Sequence, residues 1–234
     1  MRKRSLIAAA LAVVIGFLGA IGLCFSALAL PARVSATPEM TIVIDAGHGG
    51  IDGGVTGVVT GIKESDLNLA ISLKLQAKLS DAGYEVVMTR RTEGGLYDTA
   101  APGFKRRDMQ KRKEICEGAS PLCVISVHQN FFPSRSQRGA QVFYDQGSEQ
   151  GKALAEGLQT ELNELYGAHS VKARKAMTGD YFMLKLSAPS VIVECGFLSN
   201  AKDEALLVSD DFQKKLVDRI AAGVIKNLSL WETA

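Results

Sequence analysis

The stretch Thr41-Ile42-Val43-Ile44-Asp45-Ala46-Gly47-His48-Gly49-Gly50-Ile51-Asp52-Gly53-Gly54 decides how the rest of the chain is read. A β-branched run, too short for a helix, ends in an aspartate and reads as a buried strand. A turn with five glycines in eight residues then presents a histidine. Each glycine costs backbone entropy, so such a run fits a chain that must turn tightly and approach something closely. The chain has three histidines, and one of them stands here.

Working toward the N-terminus, Arg2, Lys3 and Arg4 precede an apolar or small-residue stretch from Ser5 to Leu30. That is the pattern of a signal peptide or of one spanning helix. The run exceeds the ~20 residues that cross a bilayer, which favours a transmembrane anchor with its basic end cytoplasmic. Val34-Ser35-Ala36 is nevertheless a small-x-small cleavage site. Residues 1–36 are therefore read as a signal peptide or N-terminal membrane anchor, and residues 37–234 as one catalytic domain. On either reading that domain lies outside the cytoplasmic membrane, anchored by residues 5–30 or secreted.

Working toward the C-terminus, strand and helix patterns alternate. A helix is expected from about Ser65, with an apolar face including Leu67, Leu69, Leu73 and Leu79, ending at Gly83. Glu85–Arg90 reads as a strand. Phe104–Glu117 reads as a very basic helix carrying Lys105, Arg106, Arg107, Lys111, Arg112 and Lys113. It is a solvated face or a cationic rim over an anionic polymer. Val124–Val127 is a strand ending at His128-Gln129-Asn130, and Gly139–Tyr144 another. A helix follows over about Ser148–Tyr166. Tyr181–Lys185 reads as extended, Ser190–Val193 as a core strand ending at Glu194, and Asp211–Leu228 as the last helix. The sum is an α/β fold: one domain with a mixed, mostly parallel central sheet flanked by helices, preceded by an N-terminal hydrophobic helix.

Lys+Arg 27 against Asp+Glu 25 leaves a net charge of only +2, which gives no sign of a nucleic-acid partner. Cys116 and Cys123 either form a small bridge or stay free thiols, and there is no disulfide framework.

In mostly parallel sheets, sites collect at the carboxyl ends of strands. Here His48, His128 and Glu194 each stand at such an end, and Glu64 lies at the start of the first helix. Two histidines and a carboxylate form a common catalytic zinc sphere with one position left for water. A further carboxylate outside it can move the proton of that water. Spacing alone does not say which glutamate binds metal. Asp45 is a competing ligand or an acceptor for a histidine N–H. His169 reads as a surface residue. The glycine turn lacks the Lys-Ser/Thr ending of a phosphate loop. Cys195 should face away from Glu194, into packing.

The residues then resemble a family. Ile44-Asp45-Ala46-Gly47-His48-Gly49-Gly50, Lys63-Glu64-Ser65-Asp66, Met88-Thr89-Arg90, Ile125–Asn130 and Val193–Asn200 resemble, in order, the motifs of the zinc-dependent N-acetylmuramoyl-L-alanine amidases (type 3). The resemblance covers about residues 41–228. It implies hydrolysis of the amide between the lactyl group of N-acetylmuramic acid and the L-alanine of the peptidoglycan stem peptide. It also implies Zn2+ on His48, Glu64 and His128, with Glu194 as catalytic acid and base. Asn130 and Arg112 would be supporting residues. The usual Asp-Pro-Gly-His appears as Asp-Ala-Gly-His, and Val-Gly after the catalytic glutamate as Cys-Gly. Within the family the chain looks most like the germination-specific amidases of spore formers. That implies a role in forming muramic-δ-lactam in the spore cortex, between mother cell and forespore. A muramic acid deacetylase would act after it, and a sporulation lipoprotein is an expected partner. The alternatives are vegetative wall remodelling or another zinc hydrolase of peptidoglycan.

Overall fold

The computed structural model describes residues 40–232. The opening run forms strand β1 (Thr41–Ala46), and all six residues are buried. Burial on both faces is what a continuous apolar run, rather than an alternating one, requires. The other strands are β2 (Glu85–Met88), β3 (Cys123–Asn130), β4 (Gln141–Tyr144), β5 (Met177–Thr178) and β6 (Ser190–Phe197). They form one sheet in the order β2-β1-β3-β6-β4-β5. Every neighbouring pair is parallel except β4 with β6. This is the mixed, largely parallel sheet expected. The helices are α1 (Glu64–Asp81), α2 (Phe104–Gly118), α3 (Glu149–Gly167), α4 (Ala201–Leu207) and α5 (Asp210–Glu232).

The larger core lies on one face of the sheet. Ile42, Ile44, Ile125, Val127, Val191 and Val193 meet Ile71 and Leu75 of α1, Leu158 of α3 and Ile220 of α5 there. Each such side chain taken out of water is worth about 1.5–3 kcal/mol. The other face carries the alternate residues and a smaller cluster of Val43, Val124, Cys116 and Met183. Side chains alternate along a strand, so Asp45 shares this face with Val43. The parallel register sets Asp45 beside Ser126, and His128 beside Glu194. One face of three adjacent strands thus becomes polar toward its carboxyl ends.

Strands β3 and β6 run past His128 and Glu194 rather than ending at them. Between His128 and Asn130 the register slips by one residue, because β6 holds an extra residue before Phe197. A bulge of this kind re-aims side chains and is common beside active sites. Phe182–Leu184 forms a 3-10 turn instead of the extended segment expected. Met183 and Leu184 are both buried in this turn. The short α4 has no apolar period to reveal it. Its signal was the cap: the Asn200 side chain accepts from the Lys202 and Asp203 backbone N–H groups.

Of the two states open to Cys116 and Cys123 the structure has the free thiols: both are buried and unbridged, as is Cys195. The transmembrane expectation is corrected. Among the described residues no helix is long and apolar enough to cross a membrane. The hydrophobic helix expected over residues 5–30 lies outside the described residues, so the transmembrane assignment is withdrawn.

Candidate metal centre and active site

His48 follows β1, Glu64 is the first residue of α1, and His128 lies near the end of β3. Glu64 Oε1 stands 3.3 Å from His48 Nε2 and 2.9 Å from His128 Nδ1. One ligand atom from each of the three residues lies within 4.8 Å of the others. The imidazole rings meet edge to face, with centroids 5.0 Å apart. Zinc bonds of ~2.0–2.1 Å at tetrahedral angles would separate ligand atoms by roughly 3.3 Å, so the spacing suits that ion. Two imidazoles and one carboxylate also match a catalytic donor set with an open fourth position.

Glu64 is held for this purpose. Its Oε2 accepts from the Val55 N–H at 2.9 Å, and Oε1 from the Gln129 N–H at 3.2 Å. Burial alone would raise its pKa, but hydrogen bonds and charge from His128 and His48 hold it well below the usual carboxylate range. Its place at the start of α1 adds the positive end of the helix dipole. His48 is also shifted. Burial lowers its pKa, and the Glu64 and Asp52 carboxylates more than offset that and raise it.

Glu194 is different in kind. Its Oε2 is buried and has no hydrogen-bond partner among the described residues. Burial pushes its pKa up to about 7, against the pull of His128 and His48 and with the Glu64 charge adding to the rise. A partnerless buried carboxyl oxygen asks for an explanation, and a proton-handling role is one. It lines a cleft of about 490 Å³ whose walls include Phe104, Met109, Phe131, Tyr181, Phe182 and Ile192. His48, Glu64, His128 and Glu194 face the same cleft.

The glycine run has its reason in this geometry. A Cβ on Gly47 would lie 2.3 Å from the His128 ring, so the close approach is between β1's end and the second histidine. The expected supporting residues divide. Asp45 is outside the metal cluster and hydrogen-bonds to neither imidazole. It accepts from Arg112 Nη1 at 2.6 Å, Thr89 Oγ1 at 2.8 Å and Ser126 Oγ at 2.6 Å. Burial would raise its pKa, but the Arg112 charge and the Ser126 hydrogen bond bring it from 3.8 to about 2. Arg112 is 1% exposed and spans the region. Its Nε donates to Asp108 at 2.6 Å, Nη1 to Asp45 and to the Ala46 carbonyl at 2.7 Å, and Nη2 to the His48 carbonyl at 2.5 Å. Asn130 lines the cleft, and its carbonyl accepts from the Leu198 N–H at 2.8 Å.

Sequence reasoning gave no role to three further residues. Arg90 donates to the carbonyls of Ala46, Gly47, Ser65 and Thr92, tying the histidine loop to the start of α1. Asn68, one turn after Glu64, donates to the Gly47 carbonyl at 3.2 Å and lies 3.4 Å from Glu64 Oε1. Gln129 in turn donates to Asn68 at 3.1 Å. Asn68 was legible as a polar residue on the buried stripe of α1. Arg90 was legible as a cation at a strand's carboxyl end.

Residues 42–226 match the family model described as N-acetylmuramoyl-L-alanine amidase. The chain belongs to that amidase family. It is 31% identical over 188 residues to the germination-specific N-acetylmuramoyl-L-alanine amidase of Bacillus subtilis, covering 79% of this chain and 78% of that protein. Among solved structures it resembles the CwlD amidase of Clostridioides difficile, described in complex with the GerS lipoprotein. That match has a TM-score of 0.77 and 34% identity, covering 82% of this chain and 99% of that one. The catalytic domain of CwlV from Bacillus (Paenibacillus) polymyxa matches with a TM-score of 0.71 and 29% identity, over 81% and 98% of the two chains. The amidase is thus a hydrolase of the amide between N-acetylmuramic acid and L-alanine in peptidoglycan, and its His48, Glu64 and His128 are placed to bind the metal ion, consistent with zinc dependence.

Proposed function

We propose that this amidase holds zinc with His48, Glu64 and His128, uses Glu194 as its base and acid, and acts on spore-cortex peptidoglycan. The single observation carrying the site assignment is Glu194: a partnerless buried carboxyl oxygen, with a pKa raised to about 7, in the same cleft as the cluster. When bound, zinc would polarise the scissile carbonyl and make water more acidic.

The chain's own residues do the rest. The buried apolar residues of the cleft, Met183 and Ile192, limit the water around the reacting atoms. Glu194 takes a proton from the attacking water as its oxygen bonds to the lactyl carbonyl carbon. When the carbon–nitrogen bond breaks, Glu194 returns that proton to the departing L-alanine amine. A carboxyl with a pKa near neutrality suits both halves of this exchange. Arg112 and Arg90 keep the His48 loop in place, and Asp45 anchors Arg112. Asn130 supports the cleft at the bulge.

The likeness to the germination-specific amidase and to CwlD supports the cortex role. A deacetylase acting on the exposed muramic acid would then close the δ-lactam. A lipoprotein partner is supported by the GerS complex of CwlD. Residues 1–36 serve as a targeting segment and residues 37–234 as the catalytic domain, outside the cytoplasmic membrane. Mass spectrometry of muropeptides from spores lacking this protein tests the role. Loss of muramic-δ-lactam is expected. Its full retention would instead point to remodelling of the vegetative wall.

A further inference from the structure

The metal cluster has a neighbour that hydrolysis does not use. His48 sits at φ +60°, a left-handed conformation that costs a non-glycine residue roughly 1–2 kcal/mol. The chain then doubles back. The Gly49 N–H donates to the Asp52 carbonyl at 2.8 Å, and the Asp52 N–H to the Gly49 carbonyl at 3.2 Å. Gly50, at φ +64°, takes the first central position of this turn. A Cβ there would lie 2.0 Å from the Tyr97 hydroxyl oxygen. That oxygen accepts from the Ile51 N–H at 2.5 Å, and the Gly50 N–H donates to the Glu93 carbonyl at 2.7 Å. The turn is fixed from both sides.

Its outcome is one side-chain contact. Asp52 Oδ2 lies 3.0 Å from His48 Nδ1. On the opposite edge of the ring, Nε2 faces Glu64. A neutral imidazole carries one N–H and one bare nitrogen, and metal binding needs the bare one. The bond made by one ring nitrogen sets the state of the other. With its N–H donated from Nδ1 to Asp52, His48 presents a bare Nε2 to the cluster. The other carboxylate oxygen, Asp52 Oδ1, is 3.3 Å from Lys105 Nζ. Lys105 is near the start of α2, the basic helix whose charge the sequence left unexplained.

We propose that Asp52 is a positioning residue that holds His48 as the Nδ1–H tautomer, and that Lys105 holds Asp52 in place for that task. The proposal rests on His48 being a metal ligand. Carboxylates behind metal-bound histidines typically change affinity about 10–100-fold when removed. Asp52 is partly exposed, so the low end applies.

The test compares wild-type protein with Asp52→Ala, Asp52→Asn, Lys105→Met and His48→Ala. Zinc affinity is measured by competition with a chromogenic chelator. The tautomer is read from the His48 ring nitrogen-15 shifts of the metal-free protein at alkaline pH, where the imidazole is neutral. Asp52→Ala should weaken zinc binding about 10-fold and turn one tautomer into a mixture, with unchanged thermal unfolding. Asp52→Asn keeps an acceptor and should fall between. Lys105→Met should weaken binding by about twofold, as befits an exposed ion pair. If His48→Ala abolishes zinc binding while Asp52→Ala leaves affinity and tautomer unchanged, this inference falls and the metal site stands. If His48→Ala leaves zinc affinity unchanged, both fall together.

Discussion

Arg112 should be the side chain whose loss the domain tolerates least. It is 1% exposed, and its guanidinium makes short bonds to Asp45, Asp108 and the carbonyls of Ala46 and His48. Arg112→Met keeps the apolar stem and leaves the buried Asp45 carboxylate without its cation. Breaking a buried pair in this way costs about 3–5 kcal/mol. That is a large share of the ~5–15 kcal/mol that holds a typical domain together. For a domain of this size it corresponds to a fall in Tm of roughly 6–20 °C. Arg112→Lys should recover only part, since an ammonium cannot reach both carboxylates and both carbonyls as a planar fork does.

The acid limb of stability should change with it. A carboxyl taken from 3.8 to about 2 on folding contributes about 2 kcal/mol above pH 4. Its folded pKa is the lower one, so this contribution is lost as pH falls from about 4 toward 2. In Arg112→Met the largest stabilising influence on the Asp45 charge is gone, and this part of the profile should flatten. Denaturant midpoints at pH 7 and pH 3 measure both effects. The same substitution in an Asp45→Asn background should cost at least about 1 kcal/mol less, because the two residues are in direct contact. Two results would refute the reasoning: a cost below about 0.5 kcal/mol, the scale of ordinary surface changes, or an equal cost in the Asp45→Asn background.

Three other expectations follow from the geometry. Gly47→Ala places a methyl 2.3 Å from the His128 ring, so bound zinc per protein should drop sharply while circular dichroism stays native; full zinc content would show that the loop gives way easily. In metal-free protein Glu194 has a raised pKa of about 7, so folding favours its protonated form and stability should decline as pH rises from about 4.5 through 7. Metal-free Glu194→Gln should therefore outlast the metal-free wild type at pH 8 by roughly 1–3 kcal/mol, read by denaturant unfolding. Burial pushes the Cys116 and Cys123 thiols up to about 12. A thiol reagent should label neither in the native protein and both in denaturant, with no reductant needed, whereas a need for reductant would reveal a bridge.

The β-branched run of β1 and the apolar stripes of the long helices were readable because burial dictates them residue by residue. The convergence of His48, Glu64 and His128 was legible only in outline. Strand ends meet when strands are parallel neighbours, and the order β1-β3-β6 is a property of the sheet rather than of any one segment. The bulge beside Glu194 was not readable because it falls within Glu194-Cys195-Gly196-Phe197, past the expected end of the strand, where a carboxylate and a glycine interrupt the apolar run. The 3-10 turn at Phe182–Leu184 was misread as extended because its few residues carry no period. Asp52 went unnoticed for another reason. Its meaning depends on a turn whose closure needs Gly50 to pass against Tyr97, a contact 47 residues distant in sequence.

Hydrolysis of a purified lactyl-L-alanine muropeptide by Glu194→Gln, with bound zinc measured on the same sample, tests the central claim most directly. The wild type should release free L-alanine amino termini. Glu194→Gln should keep its zinc, because Glu194 stands outside the His48–Glu64–His128 cluster, and lose turnover by about 10²–10⁴-fold. Normal turnover with zinc retained would contradict the account.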